Sequence, residues 1–233
     1  MKRVLVIGAS GTLGRAVVKE LSARDARVAG THRSTPIDGI PARKLDLLAI
    51  DTVEPTLADL ANELGGADAL VVCATAVSAS AEEKFDRLPD IVPSKLVDMM
   101  TVNVAAPILC ARAFASLAGA EGPRNVVFVG SIDGAKPVPT AVPYAASKGA
   151  LLAAARGLAK ELGPSGILVN VVAPGLMEEG ASRIVPADVK KEYLKHSAAK
   201  RFATAPEIAR SIAWFALENT YVTGQTIVLD GGL

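Results

Sequence analysis

Apolar residues fall into two kinds of run along this chain. Short, predominantly apolar runs at 3–7, 27–31, 67–74, 125–130, 168–173 and 226–229 are too short for helices and predict strands. Longer stretches with apolar residues at helical spacing predict helices over 13–23, 53–64, 94–118, 143–162 and 206–217. A further short strand is expected near 43–45, making about seven.

Strand and helix therefore alternate, and the strands are apolar on both faces. Parallel strands need crossovers, and crossover helices cover both faces of their sheet, so the pattern predicts an α/β fold with a doubly wound parallel sheet. No repeat, low-complexity tract or linker divides the chain.

Composition narrows the partner. With 233 residues, half of them apolar, the chain suffices for one enzyme-sized domain with an extensive core. Its 25 basic and 24 acidic residues nearly cancel without blocks of like charge, which argues against nucleic acid and anionic membrane and for a small-molecule partner. No stretch approaches roughly 18–20 uninterrupted apolar residues, and the N-terminus enters a strand pattern without a signal-peptide layout, so a soluble, cytoplasmic protein is expected. Cys73 and Cys110 lie in apolar surroundings without metal-ligand spacing, so buried thiols and no metal site are expected.

Gly8, Gly11 and Gly14 follow the first strand and open the first helix. That context lets the backbone approach a pyrophosphate and aims a helix N-terminus at it, although the same triplet also makes an ordinary tight turn. An acid at the end of the second strand would hold the adenosine ribose of NAD. The chain reads Val28-Ala-Gly-Thr-His-Arg-Ser34 there, and Asp25 comes too early. Arg33 is placed to pair with the 2′-phosphate of NADP, with Ser10, Thr31, His32 and Ser34 as neighbours. NADP(H) is preferred; NAD(H) stays open because Arg33 also reads as a solvated loop residue.

Tyr144 and Lys148 are four apart at the start of a predicted helix and so share a face. A nearby ammonium favours phenolate and would lower the tyrosine pKa from about 10 toward neutrality, readying the hydroxyl to exchange a proton with a carbonyl or alcohol oxygen. In isolation such a pair is more often an aromatic and a cation on an amphipathic helix. Its company changes that: Ser131 ends the strand thirteen residues upstream, at the sheet edge where ligands bind, and Asn103 lies on the preceding helix.

In these residues the chain resembles the short-chain dehydrogenase/reductase family, whose catalytic Asn, Ser, Tyr and Lys match Asn103, Ser131, Tyr144 and Lys148 in order and spacing. The likeness continues through Gly166-Ile-Leu-Val-Asn-Val-Val-Ala-Pro-Gly175 and Tyr221-Val-Thr-Gly-Gln-Thr-Ile-Val-Leu-Asp-Gly-Gly232. It implies a single-domain Rossmann fold over 1–233, with a substrate lid at about 176–202. It also implies a dinucleotide held by Gly8, Ser10, Gly11, Thr12, Leu13, Gly14, Arg33, Asp46, Leu47, Ala74, Tyr144, Lys148, Pro174, Gly175 and Met177. Tyr144 would be the acid in reduction, Lys148 would tune it and hold ribose hydroxyls, Ser131 would donate to the substrate carbonyl, and Asn103 would hold a relay water.

Three departures from the family pattern stand out. Thr12 occupies the middle-glycine position; Val72-Cys-Ala-Thr75 replaces Asn-Asn-Ala-Gly; and Glu179 replaces a threonine that helps bind the nicotinamide carboxamide. Lost amides at 72–75 would remove hydrogen bonds that brace the sheet.

The end of the chain from Arg201 most resembles 3-oxoacyl-carrier-protein reductases, which implies an NADP(H)-dependent carbonyl reductase acting on a 3-oxoacyl thioester. Lys190, Lys191, Lys195, His196, Lys200 and Arg201 would meet an acidic acyl-carrier protein or a coenzyme A phosphate, or else form a solvated helix face. The alternatives are a dehydrogenase of another small alcohol or ketone, and a non-catalytic dinucleotide-sensing regulator. Family analogy implies a homotetramer or homodimer.

Overall fold

The computed structural model describes residues 1–77, 88–119 and 122–233. Seven strands, β1 (Arg3–Ile7), β2 (Arg27–His32), β3 (Ala42–Lys44), β4 (Ala69–Val72), β5 (Arg124–Val129), β6 (Ile167–Pro174) and β7 (Thr226–Leu229), form one sheet in the order β3-β2-β1-β4-β5-β6-β7. Every pairing is parallel. The central strands are buried along nearly their whole length, which is why their sequences run apolar without alternation.

Helices α1 (Thr12–Ala23) and α7 (Ala205–Leu217) cover one face. Their stripes, Leu13, Val17 and Leu21 against Ile208, Ile212 and Phe215, close a core over Val4, Val6 and Val71. The other face is covered by α2 (Val53–Leu64), α4 (Ala106–Ala115) and α5 (Val142–Leu162), with Leu57, Phe114 and Leu151 over Leu5, Leu70 and Phe128. This is the doubly wound, Rossmann-like sandwich that the alternation predicts.

Two helical regions differ from expectation. The helix expected over 94–118 is built from α3 (Pro93–Met100), a wide π-helical turn over Thr101–Ala105, and α4. Together Pro93–Ala115 is a 23-residue run long and apolar enough, by length and composition alone, to cross a membrane, although Lys95, Asp98, Asn103 and Arg112 interrupt it. Its second half instead seats Ala106, Cys110, Ala113 and Phe114 in the core. Within 176–202 a further helix, α6 (Ala187–His196), forms where the apolar pattern predicts none, because Tyr193 is its one buried side chain.

Candidate active site

β1 pairs with β2 on one side and with β4 on the other, so the strand order reverses between β1 and β4 and a crevice opens above their carboxyl ends. A cavity of about 610 Å³ lies along that edge, reached by Ser131 after β5, Tyr144 and Lys148 on α5, Pro174 and Gly175 at the end of β6, and the inner face of α6. Three of the four expected catalytic residues therefore share one cavity.

Ser131 caps the short turn Ile132–Gly134. Its hydroxyl donates to the Asp133 carboxylate, and the Asp133 N–H returns a bond of 3.3 Å to the serine oxygen. Asp133, which the sequence reading passed over, also lines the cavity. Its signal was legible: an acid two residues after a serine at a strand end is a local side-chain turn pattern.

Pro143 sits in the first turn of α5 and fixes the start of that helix, which places Tyr144 and Lys148 a turn apart at the cavity. Lys148 is 1% exposed, donates to the Val129 carbonyl at 3.0 Å, and lies 5.7 Å from the Tyr144 ring centroid. Burial pulls its ammonium down to about 8, against the opposing pull of Asp133 and Cys73. The lowered tyrosine expected from this pair is not found: burial pushes the Tyr144 phenol up to about 12, Asp133 adds to the rise, and the Ser131 and Thr75 hydroxyls oppose it. Burial makes each of the two groups disfavour its charged form. Burial likewise pushes the Cys73 thiol, in the same cavity, up to about 12, so it stays protonated and inert.

Asn103 stands in the π-helical turn and is 1% exposed. Its Nδ2 donates to the Ala76 carbonyl (2.9 Å) and to Ser147 Oγ (3.0 Å). Its Oδ1 accepts from the Ala76 N–H (2.7 Å) and Thr75 Oγ1 (3.2 Å). Protein groups thus take both side-chain amide hydrogens. These bonds brace the end of β4, where the sequence reads Val72-Cys-Ala-Thr75.

Toward β1 the glycine loop is built for close approach. Gly8 has φ +80°, and a Cβ there would meet the Ala74 nitrogen at 2.7 Å; one on Gly14 would meet the Gly8 carbonyl at 2.1 Å. Gly11 differs, since its Cβ would meet nothing nearer than the Gly8 carbonyl at 3.5 Å. No side chain caps α1, so the amides of its first turn, at Thr12, Leu13 and Gly14, are left for a ligand. Near the end of β2, His32 Nδ1 is buried without a partner. An uncapped helix start, open space at Gly11 and an orphaned imidazole nitrogen together fit a phosphate-bearing dinucleotide.

The remaining expected cofactor residues are spread around this loop. Ser10 gives its carbonyl to Arg15 at 2.9 Å, and Arg15, a cation that the sequence reading missed, also reaches the Pro36 carbonyl at 3.2 Å; Arg33 is exposed. Thr31 is buried and accepts the Gly8 N–H at 3.0 Å, so it braces the loop. Asp46 is exposed and accepts the Leu48 N–H at 3.1 Å, while Leu47 is buried in the core.

Beyond β6, Gly175 cannot carry a side chain, since a Cβ would strike the Tyr193 hydroxyl at 2.2 Å. Tyr193 in turn donates to the Asp230 carbonyl at 2.6 Å, and the Asp230 carboxylate accepts from Lys136 at 2.5 Å. Met177 lines the cavity, but its N–H already donates to Ser182 Oγ at 2.9 Å, and Glu179 is exposed. On α6 the cavity face carries Asp188, Glu192 and His196. Lys195 and His196 on α6 both reach Glu192, and beyond the helix Arg201 pairs with Glu207.

Comparison with known proteins agrees with this geometry. The profile of the enoyl-(acyl carrier protein) reductase family matches residues 8–233. The chain is 30% identical over 242 residues to the 3-oxoacyl-[acyl-carrier-protein] reductase FabG of Escherichia coli, covering all of this chain and 97% of that one. It is 26% identical over 234 residues to the 3-oxoacyl-[acyl-carrier-protein] reductase MabA of Mycobacterium avium, covering all of this chain and 89% of the relative. Among solved structures, a short chain dehydrogenase from Burkholderia cenocepacia in complex with NADP superposes with a TM-score of 0.88 at 29% identity, over 99% of this chain and 97% of the other. A short-chain dehydrogenase/reductase from Serratia marcescens gives 0.87 at 25% identity over the same shares. Fold, cavity and relatives converge: the chain belongs to the short-chain dehydrogenase/reductase family of oxidoreductases.

Proposed function

We propose that the protein is an NADP(H)-dependent carbonyl reductase, one catalytic domain over 1–233, whose substrate is a 3-oxoacyl thioester on acyl-carrier protein or coenzyme A. The observation that carries the reading is the meeting of Ser131, Tyr144 and Lys148 in one cavity that continues to Leu13 of the glycine loop. When bound, the nicotinamide supplies the hydride. Tyr144 gives the carbonyl oxygen its proton, Lys148 holds ribose hydroxyls beside it, and Asn103 keeps the end of β4 in place. Arg33, in the exposed segment after β2 that Arg15 also reaches at Pro36, favours the 2′-phosphate of NADP. The names of the relatives, acyl-carrier-protein reductases and an NADP complex, support both substrate and cofactor.

Residues 176–202 act as the lid, and the enzyme works in the cytoplasm as a homotetramer or homodimer. Exposed Val97 on α3, 62% accessible, and Tyr221 before the edge strand, 90% accessible, are the surfaces such an assembly would cover. Sedimentation as a monomer at micromolar concentration counts against it.

A second substrate class, a small neutral alcohol or ketone, is favoured by one observation. Asp133, Asp188 and Glu192 put carboxylates on the cavity wall, which suit a coenzyme A phosphate poorly. The test is a titration with NADPH and NADH followed by a ketone panel that includes 3-oxoacyl thioesters. Oxidation of NADPH by the thioesters supports the proposal, and reaction with other ketones alone selects the second class. If Tyr144→Phe leaves every measurable function intact, the protein is a dinucleotide sensor and not a reductase.

A further inference from the structure

Tyr193 is the one buried side chain of α6, and it stands on the wall of two separate spaces. On one side lies the 610 Å³ cavity of Ser131 and Tyr144. On the other lies a compartment of about 230 Å³ between α7 and the end of β7, walled by Ala203, Ile208, Ser211 and Leu229 and by the Arg201–Glu207 ion pair. Among the described residues, no other side chain borders both spaces.

The ring is held at that position from several directions. Its hydroxyl donates to the Asp230 carbonyl at 2.6 Å, and the Asp230 carboxylate is itself tied by Lys136 at 2.5 Å and by the Gly232 N–H at 2.9 Å. The chain just beyond α6 is strapped to the same turn, where the N–H groups of Ala198 and Ala199 donate to the Gly232 and Gly231 carbonyls at 3.2 and 2.9 Å. Phe202 lies against the ring with centroids 5.9 Å apart, and Gly175 leaves clear the space that the hydroxyl fills. A buried hydroxyl gives up its bond only at a cost, so the ring resists swinging aside for a ligand.

Leu176, Val185, Val189 and Leu233 make much of the main cavity wall apolar, which suits an alkyl group attached to the reacting carbonyl. We propose that Tyr193 is a specificity-determining residue: it is the partition against which that alkyl group ends, and by closing off the compartment behind it, it sets the longest carbonyl compound that the enzyme accepts. The inference rests on the reductase reading and deepens it by naming what limits the substrate.

The experiment is a homologous unbranched series of whichever class reacts, 3-oxoacyl thioesters or methyl ketones, assayed with NADPH, with circular dichroism to confirm folding of each variant. In the parent, kcat/KM is expected to climb with alkyl length and then level off or fall where the alkyl group meets the ring. Tyr193→Phe keeps the ring and should keep that limit. In Tyr193→Ala the climb should continue for at least about two more methylenes, each adding about fourfold, the worth of a methylene taken out of water. Ser211→Leu, which fills the compartment from α7, should cancel this gain in Tyr193→Ala and leave the parent's limit where it is. A general loosening of α6 would change all lengths alike, so an identical limit in the parent and Tyr193→Ala overturns the proposal. Tyr193→Leu, with a smaller extension expected, replaces the alanine variant if that does not fold; if neither folds, Tyr193 is a folding residue and the proposal is overturned as well.

A second readout needs no turnover. Unbranched primary alcohols of rising length, titrated calorimetrically, are expected to reach constant affinity in the parent and to keep tightening in Tyr193→Ala, and matching profiles overturn the proposal. If no carbonyl compound is reduced at all, the reductase reading fails, while alcohol binding still decides whether Tyr193 divides the two spaces.

Discussion

Lys148 and Val129 are joined by a 3.0 Å hydrogen bond from the buried ammonium to the last carbonyl of β5. This bond joins the first turns of α5 to the end of β5 at the cavity, and it holds a charge where burial opposes one.

Lys148→Met tests what that arrangement is for. Activity is expected to fall at least about 100-fold, as for loss of a proton-transfer partner, while stability at pH 7 rises because a desolvated charge is replaced by an apolar side chain. The folded-state pKa of Lys148 is lowered from 10.5 to about 8, so between those values the unfolded chain binds more protons and parent stability climbs with pH. The advantage of the variant should be full below about pH 8 and should shrink toward pH 10.5. Urea midpoints across that range check it.

The glycine loop offers a paired test. Gly8→Ala puts a Cβ 2.7 Å from the Ala74 nitrogen at a positive φ, and is expected to destabilise the fold by at least about 2 kcal/mol. Gly11→Ala meets nothing closer than 3.5 Å and should leave the urea midpoint unchanged, yet weaken NADPH binding at least about tenfold by filling the approach to the helix start. Binding measured calorimetrically on both variants separates the turn from the cradle.

Arg33→Ala should raise the NADPH dissociation constant about tenfold or more and leave that of NADH nearly unchanged, through loss of a charged phosphate contact. Equal effects on both cofactors would make Arg33 a bystander.

Asn103→Ala strips partners from the Ala76 N–H and carbonyl and from Ser147 in a buried setting. The expected loss is about 3 kcal/mol, seen as a lower urea midpoint with unchanged slope.

The start of α7 should lose strength in acid. Thr204 and Glu207 form a capping box, and the hydrogen bond from Arg201, followed by those from Thr204, holds the Glu207 carboxyl down at about 2. A depressed folded-state pKa means stabilisation that is present above the unfolded value of 4.5 and lost as pH falls toward 2. Glu207→Gln should therefore lower the melting temperature at pH 7 and make little difference near pH 2, as scanning calorimetry would report.

The strands were legible because a parallel sheet buried on both faces leaves an unbroken apolar run, as in Leu5 to Ile7 and Val126 to Val129. Ser131, Tyr144 and Lys148 were legible because their spacing carries their geometry: a strand end and one helical turn bring them to one cavity. Other features depended on contacts distant in sequence. The wide turn at Asn103 answers to Ala76 and Ser147, and α6 is held by Tyr193 reaching Asp230. The ionisation of Tyr144 was misjudged for a related reason, since spacing reports the neighbouring cation and is silent on burial and on the Asp133 carboxylate.

The π-helical turn over Thr101–Ala105 also constrains the length of the chain. It accommodates one residue more than an α-helix would while keeping α3 and α4 in phase, so removing a single residue there would let the run rewind as continuous α-helix with both flanks still facing as they do. What would go is the bulge that presents Asn103 to Ala76 and Ser147. In this segment a one-residue deletion spares the fold and costs the site.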